Sequence, residues 1–315
     1  MSKCKQRIIY NHYFIKNAWH VMLYKIFKHK RNLTRFLGKK GISKEYSSNA
    51  LINAIKNNKP FCAIRFGAVE LSCWNNYRKI ELGYKNKYKN KVLYSIKNNA
   101  GVFPITKDEL DHYSSFMLSL LKEVDCLAIS GIHMEDYFAK YYMKNPLIIQ
   151  NWACEPLIGN YTPYLKNKKV LVISPFSHDI EEQYKRRELL FKGHPEILPN
   201  FSLLTIEAPL TQGTEEVKNY YDYFTCLDIM KEKMSHLDFD ILLVGAGAYG
   251  SPLAIFAKQM GKVAIQSGGA TQTLFGIIGK RWENRDHVSR YINEYWIHPS
   301  NAPIDKDNIE NGAYW

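Results

Sequence analysis

Residues 239–282 read FDILLVGAGAYGSPLAIFAKQMGKVAIQSGGATQTLFGIIGKRW, and this stretch decides the fold that the sequence predicts. The apolar run Ile241–Val244 is too short for a helix and ends at a glycine, which is typical of a strand buried on both faces of a parallel sheet. A helical pattern, Pro252–Met260, and a second short strand, Val263–Gln266, follow it. This order places backbone N–H groups and a positive helix end at the carboxyl edge of a sheet, where phosphates bind.

The first glycine turn has the spacing G-x-G-x-x-G, formed by Gly245, Gly247 and Gly250. A dinucleotide site also needs an acidic residue about 20 positions later to hold a ribose hydroxyl. The next acidic residue after Gly245 is Glu283, beyond the second strand. An NAD(P)-dependent oxidoreductase therefore remains an alternative that lacks one expected residue. A further alternative is that the glycines serve only tight packing.

A second glycine cluster, Gly268 and Gly269, follows the next strand and precedes a helical segment at residues 270–278. Two neighbouring strand ends would then offer bare backbone side by side. Two cations and an aromatic residue close the stretch: Lys280, Arg281 and Trp282. Such side chains suit a phosphate-bearing ligand with a flat base.

The chain has 315 residues, of which 46% are hydrophobic and 14% aromatic, enough for one large core or two small ones. Its formal charge of +13 is concentrated at the N-terminus, where twelve cations precede the first acid, Glu45. These cations are Lys3, Lys5, Arg7, Lys16, Lys25, Lys28, Lys30, Arg31, Arg35, Lys39, Lys40 and Lys44. We therefore divide the chain into a basic aromatic arm, residues 1–47, and a catalytic domain, residues 48–315.

The arm interleaves its cations with apolar and aromatic side chains such as Trp19 and Phe27. This composition is typical of a basic helix lying on an anionic membrane surface. Its longest uncharged interval, Asn17–Tyr24, is far shorter than the roughly 20 residues that a spanning helix needs. We expect a cytoplasmic protein held peripherally on the inner face of the cell membrane. The alternative is an amphipathic helix packed on the catalytic domain, and nucleic acid is not an expected partner.

Six scattered cysteines lack C-x-x-C spacing and a paired histidine cluster, which disfavours a zinc site and predicts buried, reduced thiols. They are Cys4, Cys62, Cys73, Cys126, Cys154 and Cys226.

The first strong strand, Phe61–Phe66, contains Arg65 and is followed closely by Glu70. Charges at such a position are costly unless they are paired or used. One interpretation is a local ion pair between Arg65 and Glu70. The other makes Glu70 a ligand for a metal or a sugar hydroxyl at the carboxyl end of a strand.

Strand and helix patterns alternate along the rest of the chain, which predicts an α/β doubly wound, mostly parallel Rossmann-like sheet with helices on both faces. The other predicted strands are residues 125–130, 147–150, 169–174 and 202–206, and the other predicted helices are residues 107–124, 179–191 and 215–234. Ser174, Ser177 and His178 fall where a strand gives way to a helix, an anion-accepting geometry. The tail, residues 295–315, is expected to wrap the surface and to dock Tyr314 and Trp315.

Four blocks, in this order, resemble the GT-D type glycosyltransferases of bacterial surface polysaccharide and glycoprotein glycan pathways, first catalogued as a domain of unknown function. The blocks are R-F-G-A-V-E at 65–70, S-P-F at 174–176 with Q-Y-x-x-R at 183–187, G-A-G-A-Y-G at 245–250, and G-G-A-T-Q-x-L-F-G-I-x-G-K-R-W at 268–282. The resemblance covers about residues 48–315. It implies transfer of a sugar from a nucleotide diphosphate donor, expected to be a UDP-sugar, to a glycan acceptor that could be lipid-linked.

The resemblance also implies a divalent cation, Mn²⁺ or Mg²⁺, near the donor diphosphate. Family members carry Asp, any residue, Glu after R-F-G; here Glu70 matches, and Ala68 stands where the family has Asp. The cation would be held by Glu70, donor phosphates and water, or the phosphates would be neutralised by Arg65, Lys280 and Arg281 instead. The expected catalytic residues are Glu70 and Arg65. The expected donor-binding residues are Gly67, Ser174, Gln183, Arg187, Gly245, Gly247, Tyr249, Gly250, Gly268, Gly269, Gln272, Lys280 and Arg281.

The sequence therefore predicts an α/β glycosyltransferase that uses a nucleotide sugar. The alternatives are a Rossmann-type NAD(P) oxidoreductase and a non-enzymatic scaffold that binds a membrane or nucleic acid and whose glycines are structural only.

Overall fold

A computed structural model describes residues 2–28, 31–213, 221–303 and 306–315, and its centre is a parallel sheet of seven strands. Two short strands, β1 (Arg35–Phe36) and β2 (Lys39–Lys40), pair separately as an antiparallel hairpin. The sheet contains β3 (Phe61–Ile64), β4 (Cys126–Ile129), β5 (Leu147–Gln150), β6 (Lys169–Ser174), β7 (Ser202–Glu207), β8 (Ile241–Val244) and β9 (Val263–Ile265). Their order across the sheet is β5-β4-β3-β9-β8-β6-β7, and every pair is parallel.

The strands are apolar because both faces of the sheet are covered. Alternate residues of one strand belong to two different core clusters: in β8, Leu242 and Val244 face one layer, whereas Ile241 and Leu243 face the other. All four are buried. Side chains alternate across a strand, so each layer receives every second residue. The predicted α/β parallel sheet flanked by helices is confirmed.

Twelve α-helices are described. They are α1 (Lys3–Phe27), α2 (Lys44–Asn57), α3 (Ala68–Glu81), α4 (Asn90–Ser95), α5 (Lys107–Leu120), α6 (Glu135–Tyr142), α7 (Ser177–Lys185), α8 (Arg187–Leu190), α9 (Tyr223–Ser235), α10 (Gly250–Gln259), α11 (Lys280–Glu283) and α12 (Asp286–Ser289). Their apolar sides supply the two core layers: Leu71 and Leu253 belong to one, and Leu51 and Ile180 to the other.

Three predicted helices differ from those observed. The predicted helix 179–191 is interrupted at Arg186, whose backbone leaves helical geometry between α7 and α8. The predicted segment 270–278 is a 3₁₀ helix, Gly268–Phe275, and the left-handed Gly276 follows it. In place of the predicted helix 215–234, the structure has α9, which begins later in the chain, at Tyr223. The Asp222 side chain accepts from the Thr225 N–H and caps this helix. Residues 214–220 lie outside the described part of the chain.

The arm helix α1 packs on the catalytic domain with one face. The Tyr10 hydroxyl lies 2.5 Å from Asn75 Oδ1 on α3, and Asn17 Nδ2 donates to Asp136 Oδ1 on α6 at 2.7 Å. The packed-helix alternative is therefore observed for this face. None of the described helices is long and apolar enough to cross a membrane. The proposed boundary between residues 47 and 48 stays a prediction.

Two further expectations are observed. Five of the six cysteines are buried, Cys4 is exposed, and all six are free thiols. The tail docks as predicted, because the N–H groups of Lys280 and Arg281 donate to the carbonyl oxygens of Trp315 and Ala313 at 3.3 and 3.0 Å.

Candidate active site

A cavity of about 210 Å³ opens at the carboxyl edge of the sheet. It is bounded by the segments that follow five neighbouring strands, β3, β9, β8, β6 and β7, and by the C-terminal tail. This is the position at which open α/β sheets bind ligands. Ten of the residues that the sequence assigned to the site line this cavity: Arg65, Gly67, Glu70, Ser174, Gly245, Gly247, Gly268, Gly269, Gln272 and Arg281.

The turn from β3 into α3 brings Arg65, Gly67 and Glu70 together. Gly67 precedes the first residue of α3, and Glu70 lies in the first turn of that helix. The Glu70 carboxylate folds back over Gly67, since a side-chain Cβ built at Gly67 would lie 1.9 Å from Glu70 Oε2. A side chain at this position would displace the Glu70 carboxylate from its place over the backbone. Ala68 is exposed on the same turn.

The electrostatic environment of Glu70 favours its protonated form. Burial raises the pKa of the Glu70 carboxyl above its ordinary value, while its own backbone N–H and the Arg65 guanidinium lower that pKa, and the Glu310 carboxylate raises it further. Across the described ranges, no ion pair joins Arg65 to Glu70. The interpretation of Glu70 as a simple ion-pair partner of Arg65 is therefore not supported by the geometry.

The two glycine turns pack against each other, and Arg65 lies across them. A Cβ at Gly245 would lie 2.3 Å from the Gly268 carbonyl oxygen, so the turn after β8 touches the turn after β9. Gly268 has a φ of +60°, and a Cβ there would lie 2.3 Å from Arg65 Nη2. The absence of side chains at both positions thus lets the Arg65 guanidinium rest on the Gly268 backbone beside the cavity.

The other two lining glycines face different walls. Gly247 has a φ of +51°, and a Cβ there would lie 3.0 Å from Gln212 Nε2 and 3.1 Å from the Ala100 carbonyl oxygen. A Cβ at Gly269 would lie 2.3 Å from Cε1 of Tyr314. Packing therefore explains part of the glycine requirement, as the structural alternative predicted, while both backbones still border the cavity.

The C-terminal tail supplies a charged and aromatic wall. Arg281 forms an ion pair with Glu310 and donates from Nη1 to the Tyr314 hydroxyl at 3.1 Å. Its guanidinium also lies 4.8 Å from the centre of the Tyr314 ring. Burial, reinforced by Glu310 and opposed by Arg281 and Arg65, raises the pKa of Tyr314 to about 12. Tyr314 is therefore a neutral hydroxyl near neutral pH.

Gln272 links this wall to the turn after β9. Its Nε2 donates to the Tyr314 carbonyl oxygen at 3.1 Å, and within the described chain its buried Oε1 has no hydrogen-bond partner. On the opposite side, the Ser174 hydroxyl accepts from the Phe176 N–H at 3.2 Å and shapes the turn from β6 into α7. Ser177 is buried behind that turn and His178 is exposed, and the cavity lining includes neither.

Five predicted donor-binding residues lie away from the cavity, so the structure does not bring them together with the other ten. Gln183 is buried and donates to the carbonyl oxygens of Gly276 and Tyr295 at 3.2 and 3.0 Å, so it ties α7 to the chain beyond β9. Arg187 follows the break at the end of α7, where it pairs with Glu188 at 3.0 Å. Arg187 is not among the residues that line the cavity.

The remaining three are Tyr249, Gly250 and Lys280. Tyr249 is buried and stacks on Tyr223, with ring centres 4.6 Å apart. Gly250 lies against Gln266, since a Cβ there would be 2.8 Å from Gln266 Nε2. Lys280 points to Asp307 at 3.5 Å, whereas its neighbour Arg281 reaches the cavity, because successive residues on a helix face different directions.

Sequence reasoning missed several residues that line the cavity: Asn99, Leu210, Gln212, Thr271 and Glu310. Gln266 was noted only as the residue in place of an acid. Its Oε1 accepts from the Arg65 N–H at 3.1 Å and from the Ser251 hydroxyl at 2.9 Å, so its side chain ties the end of β3 to the start of α10. An acid that binds ribose would lie at the end of β9. That position is occupied by Gln266, whose side-chain amide has a structural role.

The carboxylates that line the cavity are Glu70 and Glu310. Within the described ranges, no group of three or more His, Cys, Asp or Glu side chains is arranged to hold a metal ion. Two carboxylates can still hold a hard cation such as Mg²⁺ when substrate phosphates and water complete its shell. The residues present therefore fit a cation shared with a phosphate ligand, and not a cage made of protein side chains alone.

Comparisons with known proteins returned matches among solved structures only. No family model matches the sequence, and no curated protein matches it. Among solved structures, the domain of unknown function 1792, described as having a distinct glycosyltransferase fold, is 12% identical over 72% of this chain and 82% of that chain, with a TM-score of 0.40. A selenomethionine-substituted structure of this domain is 11% identical over 80% of this chain and 94% of that chain, also with a TM-score of 0.40. This is the family that the four sequence blocks resemble.

Proposed function

We propose that the protein is a glycosyltransferase that moves a sugar from a nucleoside diphosphate donor, a UDP-sugar, to a hydroxyl of a bacterial surface glycan. One observation carries the proposal: two arginines, Arg65 and Arg281, and the bare glycine backbone at the carboxyl ends of two adjacent parallel strands line a single cavity. Guanidinium groups and close backbone approach are what a diphosphate requires.

The diphosphate would lie between Arg65, on the Gly268 backbone, and Arg281, on the tail wall. The first turn of α3 lines the cavity, and the positive end of its helix dipole favours an anion there. The aromatic faces of Tyr314 and Trp315 border the same cavity and suit a flat base. These features supply anion recognition and stacking from separate walls.

The proposed reaction breaks the bond between the anomeric carbon and the diphosphate oxygen, and that oxygen keeps the electron pair. The acceptor hydroxyl oxygen forms the new bond to the anomeric carbon, and its proton passes to solvent water. Charge develops on the leaving diphosphate, so fixed positive charge near it lowers the barrier. Arg65 and Arg281 would provide that charge.

Glu70 would hold a divalent cation, Mn²⁺ or Mg²⁺, together with the donor phosphates. Bound there, such a cation would neutralise the leaving group as a Lewis acid. The folded-back Glu70 carboxylate keeps its oxygens beside Gly67 at the cavity edge, where phosphate oxygens could complete the shell of the ion.

Donor binding would also have to compete for Arg281, because Glu310 already pairs with it. We infer that a donor phosphate replaces the Glu310 carboxylate at this guanidinium. The donor would then occupy, at Arg281 of α11, the contact that holds the tail in the free protein.

The test compares UDP with NADH by calorimetry and thermal unfolding, followed by a screen of UDP-sugars for hydrolysis. We expect UDP to bind and NADH not to bind. Arg281→Met should weaken UDP binding by about 10-fold or more, since a hydrogen bond to a charged group contributes roughly 1.5–3 kcal/mol. Arg187→Met is the matched control, because Arg187 lies outside the cavity and should leave UDP affinity unchanged. Binding of NADH without UDP, or equal effects of both substitutions, would contradict the proposal.

A further inference from the structure

Exposed apolar side chains are concentrated on one helix. Of the 17 large hydrophobic residues exposed in the described part of the chain, eight lie on α1. They are Ile8, Ile15, Trp19, Val21, Met22, Tyr24, Ile26 and Phe27. Six of the other nine are tyrosines, whose hydroxyls favour water, whereas α1 exposes mainly isoleucine, valine, methionine, tryptophan and phenylalanine. Such a concentration marks an interaction surface.

Five of these residues form a continuous stripe, which we call the outer face of α1: Ile8, Ile15, Trp19, Met22 and Ile26. Their exposed fractions range from 38% to 68%. At about 100° per residue, they fall within a sector of roughly 60° on the helix. The packed residues, Tyr10, Tyr13, Phe14 and Asn17, lie on the opposite side. The outer face therefore points away from the domain, and no described part of the chain covers it.

The charges around the outer face identify its partner. Lys5 lies about 60° to one side of the stripe and Lys25 about 100° to the other side, and both are exposed. No acidic residue occurs before Glu45 in the sequence. A second copy of this helix would bring its own lysines against these, and α1 has no carboxylate to neutralise them. An anionic lipid surface offers both an apolar layer for the stripe and negative charge for its flanks.

We propose that α1 docks the protein on anionic bilayers through its outer face, with Trp19 and the isoleucines entering the boundary between headgroups and acyl chains. The inner face stays packed on α3 and α6. The sequence left two alternatives open for the arm, a helix on a membrane surface and a helix packed on the catalytic domain. In this proposal the outer face of α1 binds the membrane and its inner face packs on the domain.

The placement also relates the membrane to the cavity. The first turn of α3 lines the cavity. The opposite end of α3 contacts α1, because Arg7 Nε of α1 donates to the carbonyl oxygen of Leu82, the residue that follows α3, at 2.7 Å. One helix thus connects the lipid-facing element to the candidate site. If the proposed glycosyl transfer holds, a lipid-linked glycan is the acceptor class that this arrangement favours; the docking itself does not depend on that function.

The test is co-sedimentation of the full chain with vesicles of phosphatidylcholine alone and of phosphatidylcholine mixed with phosphatidylglycerol. We expect binding to the mixed vesicles only, and weaker binding as salt rises. Trp19→Glu should lower the partition coefficient at least about tenfold, because a large apolar side chain leaves the lipid. Lys25→Gln should lower it about fivefold, the effect of one basic residue near an anionic surface.

Ile292→Glu is the matched control, since Ile292 is an exposed apolar residue outside α1, and it should bind vesicles as the unaltered protein does. Unchanged thermal unfolding would show that each variant is folded. Equal binding to both vesicle types, vesicle binding that Trp19→Glu leaves intact, or no vesicle binding at all would overturn the proposal. Sedimentation equilibrium tests whether the outer face binds a second copy of the chain. If the unaltered protein is a dimer and Trp19→Glu is a monomer, the outer face is a dimer interface and the membrane proposal is wrong.

Discussion

Replacing Glu70 with glutamine removes one negative charge from the cavity while keeping the shape of the side chain. The contacts at this position make the result informative. Glu70 folds over Gly67 and forms no direct ion pair with Arg65 in the described structure, so the substitution breaks no such pair and removes only the weaker interaction by which Arg65 lowers the pKa of Glu70. A large loss of stability, expected for a broken buried ion pair, is therefore not predicted.

The pKa of Glu70 gives the sign of the stability effect. Burial raises this pKa above its ordinary value, so the folded protein binds this proton more tightly than the unfolded chain does. The free energy of unfolding then falls as pH rises from the ordinary pKa through the raised one, where the buried carboxyl must ionise. Glu70→Gln should remove that decline. At neutral pH the variant should unfold at the same temperature as the unaltered protein or at a higher one.

Activity should change in the opposite direction. If Glu70 holds the cation on the donor diphosphate, its loss should slow donor turnover by about 100-fold or more, the scale of one lost electrostatic contact in a transition state. The assay measures UDP-sugar hydrolysis at saturating Mn²⁺ and thermal unfolding across the acidic and neutral range. A variant that melts early at neutral pH yet turns over donor at the normal rate would refute the assignment and return Glu70 to a structural role.

Three further substitutions test the other walls of the cavity. Gly269→Ala should displace the Tyr314 ring, since the new Cβ would lie 2.3 Å from its Cε1. UDP affinity measured by calorimetry should then fall about tenfold, the effect of losing one base-stacking contact. Unchanged affinity would show that this ring is not part of the donor site. Ala68→Asp places a second carboxylate beside Glu70 on the first turn of α3 and should tighten Mn²⁺ binding in the presence of UDP by about tenfold. Electron paramagnetic resonance would measure this Mn²⁺ affinity, and an unchanged value would contradict the prediction. Glu310→Gln frees Arg281 and should raise metal-free UDP affinity by about fivefold or more, as expected for a recovered charge-assisted hydrogen bond; weaker binding would show that Glu310 itself serves the donor.

The strands could be predicted well because burial on both faces leaves a plain signal. The bounds of β5, β6 and β8 match those expected from their apolar runs. The helices were less predictable where backbone conformation intervened. Arg186 interrupts a continuous helical pattern between α7 and α8, and nothing in the residue types on either side marks that break.

The candidate site could be predicted where residues directly follow strands. Arg65, Ser174, Gly245 and Gly268 converge because the carboxyl ends of parallel strands share one edge. Motif membership alone was a weaker guide. Gln183 belongs to the same sequence block as Ser174, yet its side chain donates to backbone carbonyl oxygens away from the cavity.

The positions of Glu310 and Asn99 could not be predicted, for a different reason. Glu310 enters the cavity through a contact with Arg281 that links distant parts of the chain, and no local pattern announces it. Asn99 lies in a π-helical turn, Ile96–Ala100, within a lysine- and asparagine-rich tract that reads as solvated surface. Contacts of this kind follow from the packed structure and not from periodicity.

The charges of the cavity constrain how a donor can enter it. Its lining pairs two arginines, Arg65 and Arg281, with two glutamates, Glu70 and Glu310, so a fully ionised cavity has no net positive charge to offer a diphosphate. The raised pKa of Glu70 shows that the surroundings already disfavour one of these negative charges. Adding diphosphate charge to a half-enclosed site must therefore be accompanied by uptake of a cation, by uptake of a proton, or by departure of Glu310 from Arg281. Donor binding, the position of the tail and the charge on Glu70 should consequently change together, because each alters the same electrostatic balance.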